Sequence, residues 1–171
     1  MRVPVIRAER SDEVDAIRRI TSAAFGREAE ARLVEALRAS DAFVPELSLV
    51  ADADGDVVGH LLLSYVGLAG DGTRRVLSLA PMSVRPDRQR GGIGSALVRE
   101  GLRLADERGE PLVVVLGHRW FYPRFGFVPA TRHGIEAPFP VRDDVFMVRT
   151  LRAYDPSLCG KIAYPPAFDD L

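Results

Sequence analysis

The sequence predicts an α/β fold, a mixed β-sheet with helices packed on both faces, and three observations predict it. Segments with strand-like patterns and segments with helical spacing interleave along the chain instead of falling into separate blocks. The run Leu112-Val113-Val114-Val115-Leu116 is apolar without a break, as in a central strand buried on both sides. With 171 residues, 47% apolar and 27% charged, the chain is long and apolar enough for one domain with a real core.

Taken in order, Val3 to Ala8 reads as a short strand. Ser11 is placed to cap a helix whose first turn carries Asp12 and Glu13 at the positive end of its dipole. Val14, Ile17, Ile20 and Ala24 continue it at helical spacing, and Glu28 to Ala39 gives a second amphipathic helix, with Pro45 closing the link that follows. Leu47 to Ala53 and Val57 to Leu68 form a hairpin about Asp54-Gly55, and Gly70-Asp71-Gly72 turns into the strand Arg75 to Val84. Gly92 to Arg108 is the clearest helix, stopped at Gly109, and Leu112 to Leu116 is the next strand. Trp120 to Phe125 is a connector or helical turn, Phe127 begins another strand, and Val145 to Leu151 alternates as a last one. The proline-broken tail from Ala153 to Leu171 is expected to wrap the surface. The division is thus one domain over residues 1–152 and a tail, 153–171, packed on it.

Composition narrows the function. A formal net charge of −1 provides no overall attraction to nucleic acid or to an anionic membrane, so neither is expected as a partner. The single cysteine, Cys159, forbids an internal disulfide, and no leader or membrane-spanning run is apparent, so a cytoplasmic location is expected. No metal is expected: His133 and Cys159 lack ligand spacing, and the Asp52, Asp54, Asp56 alternation lacks the downstream ligands of a calcium loop. His60, inside a strand, reads as structural.

The segment with the most chemistry is Gln89-Arg90-Gly91-Gly92-Ile93-Gly94, between a strand and the start of the clearest helix. Such a turn gathers unpaired backbone N–H groups at the positive end of a helix dipole, which suits pyrophosphate. A nucleoside-triphosphate loop needs a lysine after its last glycine, but Ser95-Ala96 follows Gly94, and Lys161 is the only lysine in the chain. A dinucleotide fingerprint needs a third glycine or alanine where Leu97 stands.

Gln89-x-x-Gly92-x-Gly94 resembles the pyrophosphate signature of the GNAT superfamily of N-acetyltransferases. Phe121-Tyr122-Pro123-Arg124-Phe125-Gly126-Phe127 resembles that superfamily's aromatic-Tyr-x-x-x-Gly-Phe segment. The resemblance runs from about Val3 to Leu151, and is strongest to a bacterial branch of predicted acetyltransferases with a Tyr-Pro-Pro-Ala-Phe tail. It implies a GNAT-like acyl-CoA N-acyltransferase fold, acetyl-CoA as acetyl donor and a primary amine as acceptor, small-molecule or peptide. Direct transfer in a ternary complex follows from it.

The resemblance also implies site residues. The strands ending at Val84 and Leu116 would splay around the pantetheine arm, with Met82, Ser83 and Val84 lining it; Pro81, which lacks an N–H, suits a break in pairing there. Gln89, Arg90, Gly91, Gly92, Ile93, Gly94 and Ser95 would hold the pyrophosphate, Arg85, Arg88 or Arg90 the 3′-phosphate, and Phe125 would flank the cofactor. Tyr122 takes the position of the proton donor to the departing thiolate. The base is His118, Glu46 or water. The acceptor would lie among the loops around Ala39 to Glu46 and Thr131 to Asp144 and the tail. A homodimer is compatible with all of this. The rival class is an acyl-CoA-binding regulatory or degenerate module without turnover, against which Tyr122 argues.

Overall fold

The computed structural model describes residues 3–171. Among these residues, nine strands make one mixed sheet: β1 (Val5–Ala8), β2 (Phe43–Ala53), β3 (Asp56–Gly70), β4 (Gly72–Val84), β5 (Leu112–Leu116), β6 (Val128–Pro129), β7 (Ile135–Glu136), β8 (Phe146–Thr150) and β9 (Gly160–Ala163). The main order is β1-β2-β3-β4-β5-β8-β6, with β9 joining the outer side of β3 and carrying β7. Every pairing is antiparallel except β4 with β5 and β7 with β9. The described residues also form three α-helices, α1 (Val14–Phe25), α2 (Ala29–Arg38) and α3 (Ile93–Glu107), besides short 3-10 turns.

Period two in β3 divides the helices between the faces. Leu61 and Leu63 point to the core shared with Ile93, Leu97, Val98 and Ala105 of α3. Leu62 points the other way, into the core made with Ile17 of α1 and Leu33, Val34 and Leu37 of α2. Ser11 does not cap α1. A 3-10 turn, Ser11–Glu13, precedes the helix, and the Glu13 carboxylate accepts the Arg10 N–H at 2.7 Å while also binding Arg7. Pro45 lies inside β2 instead of closing a link, in the stretch between Phe43 and Ser48 where the register with β3 shifts. A bulge tolerates the missing donor.

The tail departs most from expectation. It contributes β9, paired through Gly67↔Ala163, Leu68↔Ile162 and Ala69↔Lys161. Gly160 (φ +131°) permits this approach, since a Cβ there would stand 2.3 Å from the Ala69 carbonyl oxygen. Leu158 and Ile162 pack on Val76, Val114, Phe146 and Val148, the part of this face that α1 and α2 leave uncovered. A strand apolar on both sides needs two covers, and burying Leu158 and Ile162 there contributes about 2 kcal/mol each. His60 is fully buried, 2.9 Å from Ser48 Oγ, and desolvation pushes its imidazole down to about 4, so it is a neutral core group.

Candidate active site

β4 and β5 pair only through Leu77↔Val113 and Ser78↔Val114, and past Ser78 they separate. Between Leu61↔Met82 and Leu63↔Leu79 the β3–β4 register slips by one residue, placing Pro81 in a bulge on β4. The gap opens into a cleft of about 1700 Å³ bordered by Met82, Ser83 and Val84 on one side and Leu116, Gly117 and His118 on the other. Ser83 Oγ turns away from the gap to Thr21 of α1 at 3.2 Å.

At one end of the cleft lies the glycine turn. Arg90 (φ 62°) and Gly92 (φ 87°) take left-handed backbone angles, and Gln89 Nε2 donates to the Val84 carbonyl at 3.1 Å, tying the turn to the strand end. Ala96 N donates to Gly92 O at 3.0 Å, so the N–H groups of Ile93, Gly94 and Ser95 fall in the first turn, where a helix has no acceptor for them. Together with the dipole they form a patch of positive potential. The positive φ at Gly92 is what demands glycine, since a Cβ there would meet nothing within 4 Å. Gln89, Arg90, Gly92, Gly94 and Ser95 border the cleft. Gly91 and Ile93 do not, and the Ile93 side chain is buried in the core that α3 shares with the sheet.

Of the three arginines expected at a 3′-phosphate, only Arg90 borders the cleft, and Arg85 is paired with Asp87 at 2.6 Å. A fourth cation was missed. Arg124 lies over the rings of Phe121 and Phe125 (4.9 and 5.5 Å) and donates to Ser95 Oγ at 3.3 Å, beside the helix start. Its signal was available, as it sits inside the Tyr-x-x-x-Gly-Phe segment.

Tyr122 opens a 3-10 turn, Tyr122–Phe125, past the link from Gly117 to Phe121 that follows β5. Its ring stands edge-on to Phe121 and Phe127 at 5.0 and 5.5 Å, and it borders the cleft. A Cβ at Gly117 would come within 2.3 Å of the ring, so only glycine lets Tyr122 fold back over the strand end. Burial raises its hydroxyl to about 12, with no charged neighbour contributing, so the proton is held at neutral pH. His118 is exposed on the same rim, and its carbonyl accepts the N–H groups of Phe121 and Tyr122 at 3.0 and 3.3 Å.

Two expected residues lie elsewhere. Glu46 does not border the cleft: its carboxylate stands 3.6 Å from Arg108, at the C-terminal end of α3, opposite the glycine turn. Phe125 is not on the cleft wall either; it packs in the α3 core with Phe121 at 5.0 Å. The opposite wall is made by Phe139 and by Tyr164, Phe168 and Asp169, from the loop and tail expected near an acceptor, and by Phe25 and Glu30 of the helical layer, which sequence reasoning missed. Glu30 is buried and held by Arg27 at 2.9 Å.

Comparison with known proteins gives this geometry a family. The family model for the acetyltransferase (GNAT) domain matches residues 5–130. The uncharacterized N-acetyltransferase YjhQ of Escherichia coli (strain K12) is 36% identical over 159 residues, covering 90% of this chain and 87% of its own. Among solved structures, the GNAT family N-acetyltransferase YhbS of Escherichia coli, in complex with CoA, superimposes with a TM-score of 0.88 at 30% identity, over 98% of this chain and 92% of that one. A GNAT family acetyltransferase from Brucella melitensis, in complex with acetyl-CoA, gives 0.79 at 36% identity, over 96% and 97%. Similarity of this extent goes past a shared fold: the chain belongs to the GNAT family of acetyltransferases.

Proposed function

We propose that the protein transfers the acetyl group of acetyl-CoA to a primary amine by direct attack, with both substrates bound at once. The observation that carries this is the single cleft that joins the glycine turn at the start of α3, the gap between β4 and β5, and the Tyr122 ring. Two relatives at 30% and 36% identity, solved with CoA and with acetyl-CoA, support the choice of donor. The residues fit it: the N–H groups at the start of α3 and Arg90 suit the pyrophosphate, with Arg124 beside them. The edge of β4 at Met82 and Val84 offers main-chain groups to the pantetheine amides, as an added strand would.

Bound acetyl-CoA supplies an activated carbonyl with a thiolate leaving group. A free amine with a pKa near 10.4 is neutral in roughly one molecule in 2,500 at pH 7, so a base raises its reactive fraction. His118, on the rim beside Tyr122, is the side chain placed to take that proton, directly or through water. As the C–N bond forms the C–S bond breaks, and the amine proton leaves to the base. A phenol at about 12 is a weaker acid than a thiol near 8.5, so Tyr122 contributes chiefly a hydrogen bond to the sulfur as its charge develops.

Thermal denaturation with acetyl-CoA, CoA, NAD and ATP side by side tests the reading, since a ligand bound only by the native state raises the melting temperature. Stabilisation by acetyl-CoA and CoA alone, with amine-dependent thiol release, is expected. Stabilisation by NAD, or by none of them, removes the proposal, and binding without release to any amine leaves an acyl-CoA-binding module.

A further inference from the structure

We infer that the amine acceptor is carried on an apolar, ring-sized body, an arylalkylamine in chemical class; this rests on the acetyl-transfer reading above. Eight large hydrophobic side chains stand exposed among the described residues, and five of them, Phe25, Leu116, Trp120, Phe139 and Leu171, line this one cleft. Scattered exposed apolar residues need no explanation, but convergence on one concavity marks a binding surface. Phe25, Phe139 and Leu171 come from the helical layer, the loop after β7 and the tail, segments separate from the glycine turn.

The tail shapes that wall. The Tyr164 ring lies nearly parallel to Phe139 (6.2 Å between centroids, 12° between planes) and against Phe168 at 4.8 Å. The Tyr164 hydroxyl interacts with Ser78, the last residue of β4 that pairs with β5, so the aromatic wall begins where the strands part. That places a ring-stacking surface next to the gap that would hold the thioester. An ammonium on such a wall is also favoured by the ring faces.

Other amine classes fit less well. The wall carries two carboxylates, Glu30, already held by Arg27, and Asp169, while Lys161 adds a positive charge on the same side. A polyamine or a multiply charged sugar amine needs more acidic groups than that. The 3-10 turn Pro166–Phe168 packs against α2, bridging the tail to the helical layer, so the aromatic wall is anchored on both sides.

The test measures kcat/KM by thiol release from saturating acetyl-CoA, with the full chain, for propylamine, pentylamine, 2-phenylethylamine, spermidine and a short peptide with a free N-terminus. Each methylene buried in the transition state should raise kcat/KM about fourfold, with 2-phenylethylamine the best substrate. Phe139→Ser, a change at an exposed position, should cost 2-phenylethylamine roughly tenfold and flatten the alkyl series, with acetyl-CoA affinity unchanged. A flat series in the natural protein, preference for spermidine or the peptide, or no turnover of any of these amines by a chain that binds acetyl-CoA overturns the inference and leaves the donor site standing. A chain that fails to bind acetyl-CoA in the thermal assay removes the donor site as well, and the inference with it.

Discussion

In the proposed reading the donor half of the cleft comes mainly from one continuous stretch, Leu79 to Ser95, with Arg124 beside it, whereas the acceptor half draws on the helical layer, the Phe139 loop and the tail. The donor half presents mainly backbone: N–H groups at the start of α3 and the unpaired edge of β4. The acceptor half presents side chains. Backbone donors are fixed by conformation, so that half is sensitive to whatever changes φ and ψ and tolerant of side-chain changes that leave them alone. The acceptor half has the opposite sensitivity, because its shape is the sum of side chains from distant segments.

The largest effect that separates the halves is expected from Gly92→Glu. A side chain at φ 87° is strained, and a carboxylate at the start of α3 repels pyrophosphate. Acetyl-CoA affinity should fall by at least about a hundredfold in calorimetry, an order of magnitude consistent with losing a charge-assisted anion site. Retained affinity with an intact fold would move the pyrophosphate elsewhere and dissolve the comparison.

Tyr122→Phe should come next, and on the rate instead of on binding. Loss of a hydrogen-bond donor to developing charge costs about a hundredfold in kcat, while the acetyl-CoA dissociation constant should barely change. With the Tyr122 hydroxyl raised to about 12, it stays protonated through the alkaline range. The natural protein's rate should therefore rise as the amine loses its proton, without a fall from Tyr122 below about pH 10. An unchanged kcat in the variant would remove Tyr122 from the chemistry.

The smallest effect should be at Glu46. It is exposed and pairs with Arg108 at the far end of α3, so Glu46→Gln should leave kcat/KM within about twofold and stability within about 0.5 kcal/mol. A large rate loss would return β2 to the acceptor half.

Local pattern carried much of this fold. Period-two alternation, the Asp54-Gly55 turn and the apolar run of β5 depend on near neighbours, and those elements stand where the pattern puts them. The same holds for the glycine turn, because its N–H groups are oriented by consecutive backbone angles. β9 was not legible: it spans four residues between prolines and is held by pairing with β3 across some ninety positions of chain, Ala69 against Lys161. Glu46 and Phe125 were misplaced for a related reason. Neighbourhood in sequence says which strand or turn a residue belongs to, but not toward which end or layer of the sheet its side chain is carried.

By itself, then, the sequence determined the interleaved α/β architecture, through local conformational preference and hydrophobic period, and it carried the motif pair at Gln89–Gly94 and Phe121–Phe127, legible through its resemblance to the GNAT superfamily. Only the tertiary structure decided that β4 and β5 part after Ser78 and that Gly117 lets the Tyr122 ring close over the strand end. It also decided that the tail would seal one face of β5 while raising an aromatic wall beside the gap. These are long-range contacts, chosen because the apolar surface left by one segment is covered most completely by another far along the chain.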